Sequence, residues 1–354
     1  NNGTRIQVEF RLPENVRVSV PWQQAINSET TYLLAASPES ANAPAVFGNF
    51  DYREIGIPGA VLRVSMLNGI NEMDNDRIAR WIEATSTDVT LAYGRFPNPS
   101  PHIVVIAVGD GRGNSRSVVP FGRVIRDGGE TVELFVDQTQ PLDALLGDWT
   151  ATHEFSHMLL PYIDSRQRWM SEGFSQYYQN VLLTRSGAYD EQYAWQKLYD
   201  GLERGRNSRP ELSPNEAAVA GIRSSRMKVY WSGAAIALMA DVALRERSDG
   251  NESLDSVLGK FQACCLPSAR VWDGKELFEK LDSLADTPVF MSLYRRYANT
   301  AGFPDTIPTL ARLGIEIDDG KVSVRRNAEL SSIRSAITKT DFKAAGNRER
   351  LAAN

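Results

Sequence analysis

The five residues His153-Glu154-Phe155-Ser156-His157 constrain this chain more than any other stretch. Residues four apart lie on one face of an α-helix, one turn from each other. Two imidazoles held that way can share one ion, and zinc accepts such nitrogen donors. The chain has only three histidines, so two of the three meet in this motif. Glu154 follows the first of them, where a carboxylate can serve as general base to water activated by a metal. The motif therefore needs a helix, and its neighbours supply one. Leu142, Leu145, Leu146, Trp149, Phe155, Met158 and Leu159 recur at roughly helical spacing. Pro141 suits a first helical position, Asp143 favours the positive end, and Pro161 cannot continue the helix. One helix from Pro141 to just before Pro161 is expected, with His157 about a turn from its end.

Trp169-Met170-Ser171-Glu172-Gly173-Phe174 opens a second helical pattern running to about Thr184. A short connection between two helices makes an antiparallel hairpin, which brings the start of the second to the end of the first. Glu172 can then point its carboxylate at an ion held by His153 and His157. Two imidazoles, one carboxylate and one open position form a catalytic rather than a structural zinc arrangement. Asp164, seven residues past His157, is a rival third ligand, and Glu172 could instead be a charge that favours a helix N-terminus.

These residues resemble the gluzincin metallopeptidases, with a thermolysin-like catalytic domain. The nearest likeness is to the glycyl aminopeptidases and the leukotriene-hydrolase type of aminopeptidase. Their third zinc ligand is the Glu of a Trp-x-x-Glu-Gly-Phe/Leu segment, which here is Glu172. Their Tyr-x-x-Gly-Ala segment matches Tyr230-Trp231-Ser232-Gly233-Ala234, and the resemblance makes Tyr230 the oxyanion stabiliser. The run Leu238–Arg247 also resembles a glycyl aminopeptidase helix. The likeness spans roughly residues 100–300, and it implies Zn2+ as cofactor and a peptide or protein as substrate. It further implies that Thr131–Val136, which alternates as a half-buried strand, is the edge along which an extended peptide lies.

Two departures stand out. Only 14 residues separate His157 from Glu172, fewer than in those families. The aminopeptidases also carry an upstream segment whose Glu grips the substrate amine. The corresponding stretch here, Gly109-Asp110-Gly111-Arg112-Gly113-Asn114-Ser115, has no Glu. Glu130 or Glu133 are the candidates to replace it, and exopeptidase and endopeptidase action both stay open. The competing readings are a non-catalytic peptide-binding protein that keeps the fold, and a zinc hydrolase of a non-peptide amide.

The rest of the chain organises around this centre as an α+β protein. Residues 1–72 read as an N-terminal β domain, with alternation over Arg5–Phe10, Val16–Val20 and Val61–Met66. Residues 73–185 read as the zinc-binding catalytic domain, a small mixed sheet plus the zinc helix pair. It opens with a helix capped by Asp74 or Asn75. Residues 186–354 read as a mainly helical bundle, with a capping box at Ser213-Pro214-Asn215-Glu216 and a similar start at Asp273. Asp318-Asp319-Gly320 between two alternating runs signals a hairpin, and the last dozen residues are expected to fray. His102 reads as a strand-end residue without a metal role. The glycines at 109, 111 and 113 lack the Gly-Lys-Ser/Thr of a phosphate loop. A net charge of −5 without a basic tract points away from nucleic acid. No run of 18 apolar residues suggests a membrane span. Cys264 and Cys265 are adjacent, a spacing at which a relaxed bridge is not expected. The first residues, Asn1-Asn2-Gly3, carry neither Met nor signal sequence, which suggests a secreted or periplasmic protein after processing.

Overall fold

The computed structural model describes residues 6–34, 43–69, 73–109, 117–126 and 128–340. Gly109 apart, the Gly109–Ser115 stretch lies outside them, as do residues 341–354. Two compact units are drawn from these residues, one from 6–87 and 95–155, the other from 88–94 and 156–340.

The first unit begins with short strands: β1 (Ile6–Glu9), β2 (Arg17–Ser19), β3 (Gln23–Gln24), β4 (Thr31–Leu34) and β5 (Val46–Gly48). They form two small antiparallel sheets, ordered β1-β4-β3 and β2-β5. β6 (Asp51–Ile57) and β7 (Ala60–Leu67) follow as a hairpin. Pro58 presets its own φ and Gly59 takes φ +83°, the combination a type II turn requires. Helix α1 (Asn75–Val89) crosses to β8 (His102–Ala107). Asp74 caps α1, its Oδ1 accepting the Arg77 N–H at 3.0 Å.

β9 (Phe121–Ile125) and β10 (Thr131–Val136) complete a mixed five-stranded sheet, ordered β6-β7-β8-β10-β9. β7, β8 and β10 run parallel, with antiparallel strands at both edges. This order corrects one expectation. Thr131–Val136 lies inside the sheet, and the edge is Phe121–Ile125. β10 has a hydrogen-bonded neighbour on each side, and five of its six residues are buried. β9 was hard to see because Gly122 interrupts its apolar pattern. The sequence also put a boundary near residue 72. Strands on both sides of it share this sheet, with Arg63 opposite His102.

His102 opens β8 fully buried, with Nε2 2.8 Å from Ser19 Oγ and Nδ1 3.0 Å from Thr131 Oγ1. Burial, helped by the Arg63 cation, pushes its pKa down to about 3, so it is neutral in the fold. An unfolded chain would protonate it below about pH 6.5. Its stabilising contribution is therefore complete above that pH and is lost as the pH falls toward 3. Between pH 7 and 5 the wild type should lose about 2 kcal/mol more than a His102→Gln variant. Urea midpoints at the two pH values check this; equal losses would show that His102 titrates in the fold as it does in the open chain.

Two helices close the first unit, α2 (Leu142–Gly147) and α3 (Thr150–Ser156). A single helix from Pro141 was expected. The break comes at Asp148, which is extended (φ −76°, ψ 139°) and whose Oδ1 caps the Thr150 N–H at 2.8 Å. An aspartate just past a helix end can start the next one by accepting such a bond.

The second unit is helical: α4 (Trp169–Arg185), α5 (Glu191–Arg206), α6 (Pro214–Ala220), α7 (Ile222–Arg247), α8 (Leu254–Cys265), α9 (Gly274–Leu284), α10 (Phe290–Tyr297), α11 (Ile307–Leu313) and α12 (Ser331–Thr338). Between the last two, β11 (Ile315–Asp318) and β12 (Lys321–Val324) form the hairpin expected from Asp319-Gly320. Ser213 and Glu216 make the capping box that starts α6, and Asp273 caps α9. By length and composition α7 could cross a bilayer, but 78% of its most apolar window is buried inside the protein. Its neighbours include α4, α5 and α6, as expected for the central helix of a bundle.

Cys264 and Cys265 are bonded to each other at the end of α8, contrary to the sequence expectation. The helix stops there, which releases the backbone from its i to i−4 ladder. A bridge between neighbours encloses no chain segment, so it adds no loop constraint to the fold.

Candidate metal centre

α3 continues into a 3-10 turn, His157–Leu159, through a Ser156 that keeps helical angles (φ −66°, ψ −23°). The five motif residues thus form one helical stretch. Its apolar side is anchored by Phe155, fully buried and edge-on to Phe96 at 6.0 Å. On the other side, His153, Glu154 and His157 each offer a ligand atom, all within 4.8 Å of one another. All three are buried, at 2%, 8% and 9% exposure. Trp149, one turn earlier, sets its ring edge-on to His153 at 5.8 Å. Desolvated walls of this kind strengthen electrostatic interactions within the site.

Glu172 sits in the first turn of α4, with Oε2 3.5 Å from His157 Nε2. Donors touching one tetrahedral zinc ion at about 2.0–2.1 Å stand roughly 3.3 Å apart, so this pair is spaced to share an ion. Ser171 Oγ lies 2.9 Å from His157 Nδ1 and orients the ring so that Nε2 faces Glu172. Sequence reasoning missed Ser171, although its place directly before the expected ligand was the available signal. The donor set of imidazole and carboxylate matches zinc chemistry.

The rest of the Trp-x-x-Glu-Gly-Phe segment explains why Glu172 is held there. Trp169 is fully buried, donates from Nε1 to Asn215 Oδ1 at 2.8 Å, and packs on Phe278 with centroids 6.0 Å apart. Phe174 meets the same Phe278 ring, also at 6.0 Å. Gly173 lies against α7, where a Cβ would stand 2.2 Å from Gly233 Cα. A Cβ on Gly233 would stand 1.9 Å from the Trp169 carbonyl oxygen. The glycines of the two motifs are thus the point where α4 and α7 cross, backbone against backbone. Tyr230 lies one turn before that crossing, half-buried, with the Arg226 guanidinium 5.5 Å from its ring centroid. Trp231 beside it is locked into α5, where a Cβ at Gly201 would stand 2.0 Å from its ring and one at Gly205 2.4 Å from its Cβ. Trp231 is therefore the packing residue of this pair.

The rival ligand Asp164 is engaged elsewhere. It caps the 3-10 turn Ser165–Gln167 and pairs with Arg166 at 2.7 Å. The Arg166 side chain and backbone N–H hold its pKa down to about 2. Glu133 pairs with Arg123 at 2.6 Å, and Glu130 accepts from Asn98 at 2.5 Å.

A model of the M61 glycyl aminopeptidase family matches residues 161–235, the stretch that holds Glu172 and Tyr230. No curated protein matches the chain. Among solved structures, an aminopeptidase N family protein from Idiomarina loihiensis superposes with a TM-score of 0.66 at 17% identity. That match covers 89% of this chain and 59% of the other. A mutant M1 zinc metallopeptidase from Deinococcus radiodurans, bound to a Tyr-Ser-Ala substrate, gives a TM-score of 0.52 at 14% identity. It covers 86% of this chain and 65% of that one. The chain therefore spans about two thirds or less of these proteins and has their fold, an N-terminal β portion leading into a helical C-terminal portion.

Proposed function

We propose that this chain is a zinc-dependent metallopeptidase with His153, His157 and Glu172 as ligands. The observation that carries the reading is the approach of Glu172 to His157 from the following helix, beside the cluster of His153, Glu154 and His157 on one helical face. When bound, zinc lowers the pKa of a water to about 7 and supplies a nucleophile at neutral pH. Glu154 would accept a proton from the water that adds to the peptide carbonyl and return it to the amine as the C–N bond breaks. Tyr230 donates a hydrogen bond to the substrate carbonyl oxygen as charge gathers there. Ser171 keeps the His157 ring in register with its ligand role. β9, the edge of its sheet among the described residues, offers main-chain groups to which an extended peptide can pair. The M61 match and the structural likenesses support the reaction class.

The test is metal analysis joined to peptide mass spectrometry. The purified protein should hold one zinc per chain and cleave peptides in a mixed library. Chelation should abolish cleavage, and added zinc should restore it. Cleavage that persists after complete metal removal, or a chain that takes up no zinc, would overturn the proposal. Cleavage confined to small amides would favour the non-peptide hydrolase. Comparing N-acetylated with free peptides assigns endopeptidase or aminopeptidase action.

A further inference from the structure

Gly122, the second residue of edge strand β9, has no conformational reason to be glycine. Its φ lies outside the left-handed region, and it pairs in regular register with Leu134 of β10. A β-branched residue would suit the strand better. Its surroundings supply the reason. A Cβ at Gly122 would lie 2.6 Å from Glu154 Cγ and 3.2 Å from both Cδ and Oε1. Successive side chains of a strand alternate, so the neighbours of Gly122 turn away from Glu154. Phe121 goes to Phe135 with centroids 5.5 Å apart, and Arg123 goes to Glu133. Gly122 is the residue of β9 whose Cβ would strike Glu154.

We propose that Gly122 is a positioning residue for the carboxylate of Glu154. The bare strand backbone forms the wall against which that side chain rests. The inference builds on the reading of Glu154 as general base. All three crowded atoms belong to a flexible side chain rather than to backbone. The closest of them is Cγ, so a methyl group at residue 122 requires Glu154 to turn about its Cα–Cβ bond, which carries the carboxylate away from its place. The fold and the metal ligands are spared, and the base is displaced. A displacement of about 1 Å in a reacting group can cost on the order of 10²-fold in rate.

The experiment compares zinc-loaded wild type, Gly122→Ala and Glu154→Gln as full chains. Gly122→Ala is expected to keep its melting temperature, its zinc content and its KM. Its kcat should fall by on the order of 10²-fold. The acidic limb of its kcat/KM profile should move, because the base then sits in different surroundings. A purely structural role would lower the melting temperature or the zinc content instead, and either result overturns the proposal. Wild-type kcat and an unmoved acidic limb in Gly122→Ala, alongside an inactive Glu154→Gln, also overturn it and leave the metallopeptidase reading standing. An active Glu154→Gln removes the base itself, and the positioning role falls with it.

Discussion

Glu154→Gln is expected to bind zinc as the wild type does and to hydrolyse peptides about 10²–10⁴-fold more slowly. The amide matches the carboxylate in size and reach, so the packing against β9 survives. What disappears is the capacity to take a proton. Glu154 is nearly buried beside two imidazoles, a setting in which bulk water is a poor substitute for a fixed base. The measurement is kcat together with zinc stoichiometry. The geometry makes the second reading necessary, because Glu154 has an oxygen close enough to the imidazole nitrogens to act as a ligand itself. Loss of zinc together with activity would show that Glu154 is a ligand and that Glu172 is not the sole carboxylate at the ion. Unchanged hydrolysis would remove Glu154 from the mechanism.

Asp255→Ala should destabilise the helical unit by about 3–5 kcal/mol, the usual cost of stripping one partner from a buried ion pair. Its carboxylate receives Arg185 at 2.7 Å, Arg245 at 3.1 Å and the Tyr178 hydroxyl at 2.9 Å. Arg185 and Arg245 are only 2% and 8% exposed at the side chain. Arg245 keeps Asp241, which also accepts from Tyr177 at 2.8 Å. Among the described residues, Arg185 then keeps two carbonyl partners, from Ile337 and Leu91. Burial, with the neighbouring carboxylates, holds both tyrosine hydroxyls well above their ordinary pKa, so they stay donors. Removing Asp255 leaves the Arg185 guanidinium in the interior without its ion-pair partner among the described residues. Urea denaturation measures the loss, and an unchanged midpoint would mean that water reaches these arginines. Because the network lies along α4 and α7, the helices that carry Glu172 and Tyr230, zinc affinity should weaken as stability falls.

Much of the candidate centre was legible beforehand because it is local. A four-residue spacing becomes a shared face in any α-helix, so His153 and His157 could be paired without knowing the fold. The caps at Asp74, Ser213 and Asp273 were readable for the same reason, since each joins a side chain to backbone N–H groups within three residues. The Asp319-Gly320 turn is equally short-range. Glu172 was harder, and resemblance to known metallopeptidases carried that assignment beyond the hairpin argument. The break at Asp148 was missed because an apolar periodicity records which residues are buried. It does not record whether one helix or two present them.

What the sequence by itself determined here is chemistry and short-range geometry: an α+β chain, two imidazoles on one helical turn, a carboxylate at the start of the next helix. Tertiary structure alone decided that β10 is enclosed and β9 is the edge, because a strand's place in a sheet depends on partners far along the chain. It alone set Gly173 against Gly233 and Gly122 against Glu154. A missing side chain leaves no periodic trace in a sequence, and its purpose is visible only in the atom that occupies the space.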